Sequence, residues 1–135
     1  MSQWTHVCGA IRIDGLMVKH GPAKSLIGAK MHENKPTGSE GPIDLDFTYT
    51  GYEEEYGGSL NIGTISVSGD LRDYDDYEEI FRWVEELRVS LKPYMMFRSI
   101  CILIEVEYKQ LWLITQEFNK ESEPFLKIEP YKNLD

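Results

Sequence analysis

Apolar and polar residues alternate in several segments of the chain. Residues 4–13, WTHVCGAIRI, set Val7, Ile11 and Ile13 on one side and Trp4, His6, Cys8 and Arg12 on the other. That is the period-two pattern of a half-buried strand. Residues 43–50, IDLDFTYT, separate Ile43, Leu45, Phe47 and Tyr49 from Asp44, Asp46, Thr48 and Thr50 in the same way. Residues 59–69 predict a third strand. In it Leu60 and Ile62 have even parity while Ile65 and Val67 have odd parity, and an extra residue at Gly63 would restore one phase. Tyr77, Ile80, Phe81, Val84, Leu87 and Leu91 then recur at the spacing of one helical face. Asp73 or Asp75 is the expected cap, with Asp76 or Glu78 at the third helical position. Lys92-Pro93 ends the helix.

After the helix, residues 96–108 put Ile100, Ile102, Ile104 and Val106 on one face. Phe97, Cys101 and Leu103 make the other face apolar as well, which predicts a central strand. Residues 111–118 form the next strand, and 124–131, PFLKIEPY, add an edge strand or an arm. The order β-β-β-α-β-β predicts an α+β fold: a mostly antiparallel sheet of about five strands with one amphipathic helix on one face, and a single crossover from the third strand to the fourth. At 135 residues the chain reads as one domain. Residues 18–42 form a long irregular loop and 124–135 a C-terminal arm.

Composition narrows the class. An apolar share of 41%, with three Trp, eight Tyr and five Phe, is too high for a disordered chain. No apolar run approaches a membrane span. Nothing marks the N-terminus for secretion, so the cytoplasm is the expected location. Charge is unevenly spread. Fourteen of the 23 acids lie between Glu40 and Glu86, against Arg72 and Arg82, a net charge of -12. Residues 1–39 carry +3, and residues 87–135 are neutral. Such a field repels nucleic acid and anionic membranes and attracts basic protein surfaces.

Candidate chemistry is sparse. His6, Cys8 and Cys101 are metal-ligand types, but no C-x-x-C or H-x-x-x-H spacing accompanies them. They read as buried thiols beside a hydrogen-bonded histidine, with no metal or cofactor. Asp44 and Asp46 read as a solvated strand face. Asp70, Asp73, Asp75 and Asp76 read as helix-capping acids, because the segment lacks the central glycine of a calcium loop. Gly38-Ser39-Glu40-Gly41 reads as a turn rather than a phosphate cradle, since a strand follows it and no Lys-Ser/Thr does. Tyr49, Tyr52, Tyr56, Tyr74 and Trp83 are interleaved with the acids, a composition suited to a protein interface. No nucleophile–base–acid arrangement is visible, so a non-enzymatic role is expected.

Trp4-Thr5-His6-Val7, the turn 38–41 and Gly69-Asp70-Leu71-Arg72-Asp73-Tyr74-Asp75 resemble segments of small bacteriophage-encoded accessory proteins. The resemblance covers about half the chain and implies a setting, the cytosol of an infected host, but no activity. By analogy with acidic phage proteins of anti-CRISPR or anti-restriction type, the expected function is inhibition of a basic, nucleic-acid-binding host protein. The expected interface is Asp44, Asp46, Tyr52, Glu53, Glu54, Glu55, Tyr56, Asp73, Tyr74, Asp75, Asp76, Glu78 and Glu79. Two alternatives accompany it. One is a nucleotide sponge that holds a small anion with Arg12, Lys24, Lys30 and Arg98. The other is a virion structural or assembly protein that self-associates through strand edges.

Overall fold

The computed structural model describes residues 2–14, 33–50, 62–93 and 95–133. Its elements in chain order are β1 (Trp4–Asp14), β2 (Thr37–Gly38), β3 (Gly41–Pro42), β4 (Asp44–Thr50), β5 (Ile62–Arg72), α1 (Tyr77–Leu91), β6 (Met96–Val106), β7 (Gln110–Phe118) and β8 (Pro124–Asn133). Six strands form one sheet in the order β4-β5-β1-β6-β7-β8, and β2 and β3 form a separate hairpin. Every adjacent pair is antiparallel. The α+β class therefore stands, with one helix and more strands than the expected five among the described residues. The additional strands have weak sequence signals. β2 and β3 are two residues each, too short for any periodicity, and they lie inside the stretch read as irregular. β8 contains Pro124 and Pro130, which suit an edge strand.

β5 and β6 both pair with β1, so they run parallel to each other with β1 between them. A parallel return needs a crossover, and α1 supplies it. Asp76 caps the helix and its side chain accepts from the Glu79 amide. The cap thus falls later than Asp73 or Asp75. The physical reason is upstream: Asp73 and Tyr74 donate their amides to Gln3 O, and the buried Thr5 hydroxyl donates to Tyr74 O. These bonds hold residues 73–74 against β1, so the helix begins beyond them.

One sheet face holds the core. Val7, Ile11 and Ile13 of β1 meet Ile65, Val67 and Leu71 of β5 and Phe97, Ile100, Ile102, Ile104 and Val106 of β6. Ile80, Trp83, Val84, Leu87 and Leu91 of α1 pack on them. Farther out, the Tyr77 ring stacks on Trp112 of β7 at 4.0 Å. Each fully buried aliphatic side chain contributes about 1.5–3 kcal/mol relative to exposure.

The phase change expected at Gly63 does not occur. β5 pairs with β1 without a slip from Arg72 to Ile62, and Leu60 lies outside the described residues. Gly63 instead sits on the core face and leaves room for Phe47, whose ring would stand 2.9 Å from an added Cβ. The irregularity is in β6, where pairing jumps from Arg12–Ser99 to Ile13–Phe97. That jump skips Arg98 and turns Phe97 onto the same buried face as Ile100. The second face of β6 is consequently not apolar core. Cys101 is exposed, and so is Cys8 opposite Leu103, so neither thiol is the buried hydrophobe that the sequence suggested.

Gly9 lies on the core face between β1 and β6, and an added Cβ would stand 2.5 Å from Ile102 Cα. Gly9→Ala should lower the unfolding free energy by about 1–3 kcal/mol through overpacking. This is read as a lower urea midpoint, and an unchanged midpoint would contradict the β1–β6 approach.

Candidate functional site

With α1 on one face, the opposite face of the sheet carries the residues of the other parity. On β4 and β5 these are Asp44, Asp46, Thr64, Ser66, Ser68 and Asp70; on β1 they are His6, Cys8, Ala10 and Arg12. Cross-strand register aligns Asp44, Ser68, Cys8 and Leu103 in one row, and Asp70, His6 and Glu105 in the next. A cleft of about 550 Å³ opens over these rows. Its lining includes His6, Cys8, Asp44, Ser68, Asp70, Leu103 and Glu105, and Glu40, Gly41 and Pro42 from the β2–β3 hairpin complete it.

The hairpin is held in place by the end of β5. Ser39 donates its amide to Arg72 O at 2.9 Å and its hydroxyl to Asp73 Oδ2 at 2.8 Å. Pro36 O accepts from the Ile43 amide at 3.0 Å. The segment Gly38–Gly41, read from sequence as a turn, is the tight connection of this hairpin, and it brings Glu40 to the cleft. Arg72 pairs with Glu40 at 3.4 Å.

His6 is the best-defined group in the cleft. Its Nδ1 lies 2.6 Å from Asp70 Oδ1 and its Nε2 lies 2.7 Å from Glu107 Oε2. Two carboxylates accept, so both ring nitrogens must donate, which is the imidazolium form. The hydrogen bond to Glu107 raises the His6 pKa above its ordinary value, the bond to Asp70 adds to this, and partial burial opposes it. Trp4 lies parallel to the imidazole at 6.3 Å. The cationic ring thus joins β1 to β5 and to the β6–β7 turn. Glu40, Asp44, Asp70 and Glu105 leave the cleft acidic. Among the described residues no group of three or more His, Cys, Asp and Glu is arranged to hold a metal ion. No helix among them is long and apolar enough to cross a membrane.

The residues expected to form an interface divide into separate groups. Asp44 and Asp46 are exposed on the open face of the edge strand β4. Asp73, Asp75, Asp76 and Glu79 lie at the start of α1 with local partners: Ser39 for Asp73, Lys109 for Asp75, the Glu79 amide and Arg82 for Asp76, and the Tyr74 hydroxyl at 2.6 Å for Glu79. Glu78 is exposed on the first turn. Tyr52, Glu53, Glu54, Glu55 and Tyr56 lie outside the described residues. Tyr74 and Trp83 are not exposed anchors. Tyr74 is buried, and burial together with its bond to Glu79 holds the phenol far above its ordinary pKa. Trp83 is buried and donates its indole N–H to Glu33 O at 3.2 Å.

Of the alternative anion site, Arg12 and Arg98 do come together, on Asp14 at the opposite end of β1. Arg98 Nε is 2.8 Å and Arg12 Nη2 is 3.7 Å from Asp14 Oδ2. Lys24 and Lys30 lie outside the described residues. The sequence reading missed Glu40 and Glu105 as cleft residues and Glu107 as a partner of His6. Parity alone placed His6 and Cys8 together, but nothing local connects His6 to a carboxylate 101 positions away.

No family model, curated protein or solved structure matches this chain.

A histidine whose pKa is raised on folding takes up protons as the chain folds, so its stabilisation is complete below about pH 6.5 and is lost as pH rises through the raised value. Urea unfolding across pH 6 to 9 should therefore show stability declining with pH in the native chain. The decline should be flatter in His6→Gln. Parallel profiles for the two proteins would contradict the double carboxylate clamp.

Proposed function

We propose that this protein is a non-enzymatic binding module that inhibits host defence machinery of CRISPR or restriction type by occupying a basic, nucleic-acid-binding surface. The cleft on the open sheet face is the anchor, and it receives an arginine or lysine side chain of the partner. One observation carries this reading: Glu40, Asp44, Asp70 and Glu105 converge on one cleft from four separate parts of the chain. Asp46 extends the same negative surface along β4. Carboxylates on a paired sheet are pre-organised, so little ordering entropy opposes binding. Their field steers a cationic surface toward the face. Glu40 also shows how a guanidinium is received, since Arg72 already reaches its carboxylate.

A catalytic reading is less well supported. Both nitrogens of His6 are engaged by carboxylates, which leaves no free base on the ring. The nucleotide-sponge reading draws on Arg12 and Arg98, but Asp14 already takes up part of their charge. The setting in a phage-infected cell rests on the sequence resemblance alone.

The direct test measures binding of an arginine-rich peptide, and then displacement of DNA from a purified CRISPR effector, over a salt series. Affinity should fall as salt rises, since the Debye length shrinks to about 8 Å at roughly 0.15 M. Asp44→Asn combined with Glu105→Gln should weaken peptide binding by about tenfold or more, the scale of losing one desolvated charge contact. It leaves both His6 partners in place. Undiminished affinity in that variant would exclude the cleft as the anchor, and DNA binding unaffected by saturating protein would exclude this effector as the partner.

A further inference from the structure

Cys8 and Cys101 were expected to be buried, and their exposure on one sheet face has a chemical consequence. β1 and β6 are adjacent and antiparallel, with Cys8 opposite Leu103 and Ala10 opposite Cys101. The two thiols are therefore diagonal neighbours on the same open face. Both are free and exposed. The residues beside them on β1 and β5 are small: Ala10, Ser66 and Ser68.

Diagonal positions across an antiparallel pair stand roughly 7 Å apart. A disulfide needs its Cβ atoms within about 3.5–4.5 Å, so direct closure would require backbone movement in two fully paired strands. A single ion between the sulfurs relaxes that constraint, because two metal–sulfur bonds of about 2.3 Å let the sulfurs stand up to about 4.6 Å apart, against about 2.0 Å in a disulfide, a gain of about 2.6 Å. The number of donors then selects the ion. Zinc requires four ligands in a structural site, and the histidine on this face has both nitrogens bound to Asp70 and Glu107. Two sulfurs without a third ligand suit a soft monovalent cation, for which thiolate is the preferred donor.

We propose that Cys8 and Cys101 form a two-thiolate site for a soft monovalent metal ion of the Cu(I) type. On binding, each thiol releases its proton to solvent, two metal–sulfur bonds form, and no electron is transferred. The acidic surroundings favour accumulation of a cation near the face, and the paired strands hold the two sulfurs in place before it arrives. The ion would join the centre of the sheet on the face opposite α1.

The test uses reduced full-length protein, anaerobic, with Cu(I) supplied as its bicinchoninate complex. The native chain should withdraw one Cu(I) per chain, and native mass spectrometry should show it on a single chain. Cys8→Ser and Cys101→Ser should each hold Cu(I) about 100-fold less tightly, because the second bond is intramolecular only in the native chain. Both positions are exposed, and circular dichroism checks that the variants remain folded. Phenylarsine oxide tests the geometry independently: it condenses with two thiols, forms two As–S bonds and releases one water. One arsenical per native chain, resistant to competing glutathione, is the expected result. Single variants that bind Cu(I) as tightly as the native chain would overturn the proposal. So would two arsenicals per native chain, a metal bridging two chains, or an internal disulfide that forms readily in air.

Discussion

The structure depends on the pairing of β1 along both of its edges. Eleven residues of this strand pair with β5 on one side and ten with β6 on the other. Its backbone donors and acceptors are thereby satisfied in the interior of the sheet, where an unpaired group would be costly. Because β5 and β6 are both antiparallel to β1, they are parallel to each other, and no hairpin can connect them. The chain must cross over the sheet, and the crossover carries α1. The position of the helix and the choice of the face it buries both follow from where β1 lies.

The N-terminal end of β1 acts a second time. Gln3 O accepts from the amides of Asp73 and Tyr74, and the Thr5 hydroxyl donates to Tyr74 O. The Trp4 carbonyl accepts from the Glu107 amide. On the face opposite α1 His6 repeats the same connections with charge, joining Asp70 at the end of β5 to Glu107 beyond β6. Backbone and side chain thus tie the same three segments at the same end of the sheet. This is also the end that carries the cleft, so its carboxylates are mounted on a doubly restrained frame.

Much of this was legible in the sequence. The alternation in 4–13 placed Val7, Ile11 and Ile13 on the core face, and the period of 77–91 identified the helix and most of its buried stripe. The failures have specific causes. A bulge displaces one residue of β6, and parity alone could not tell that Phe97 joins Ile100, so the second face appeared apolar. Trp83 lies at the margin of the helical stripe, yet it packs into the core and donates its indole N–H to Glu33 O, 50 positions away. The cleft was not legible as a unit, because its carboxylates come from Glu40, Asp44, Asp70 and Glu105, and only the order β4-β5-β1-β6 brings them together. In sequence Asp70 belonged with the helix-capping acids; in space it belongs with His6.

Counting charge by segment therefore overstates one surface and understates another. The run Asp73–Glu79 contributes strongly to the -12 of the central segment. Yet Asp76 is committed to a helix amide, Asp73 to Ser39, Glu79 to Tyr74 and Asp75 to Lys109. A carboxylate held by a local partner adds little to the attraction felt by a distant cation, because the partner's dipole or charge opposes its field. Asp44 and Asp46 stand opposite neutral serines, and Glu105 comes from the segment whose net charge is zero. After internal pairing, and among the described residues, Asp44, Asp46 and Glu105 keep their charge on the face opposite α1, whereas at the start of the helix only Glu78 does.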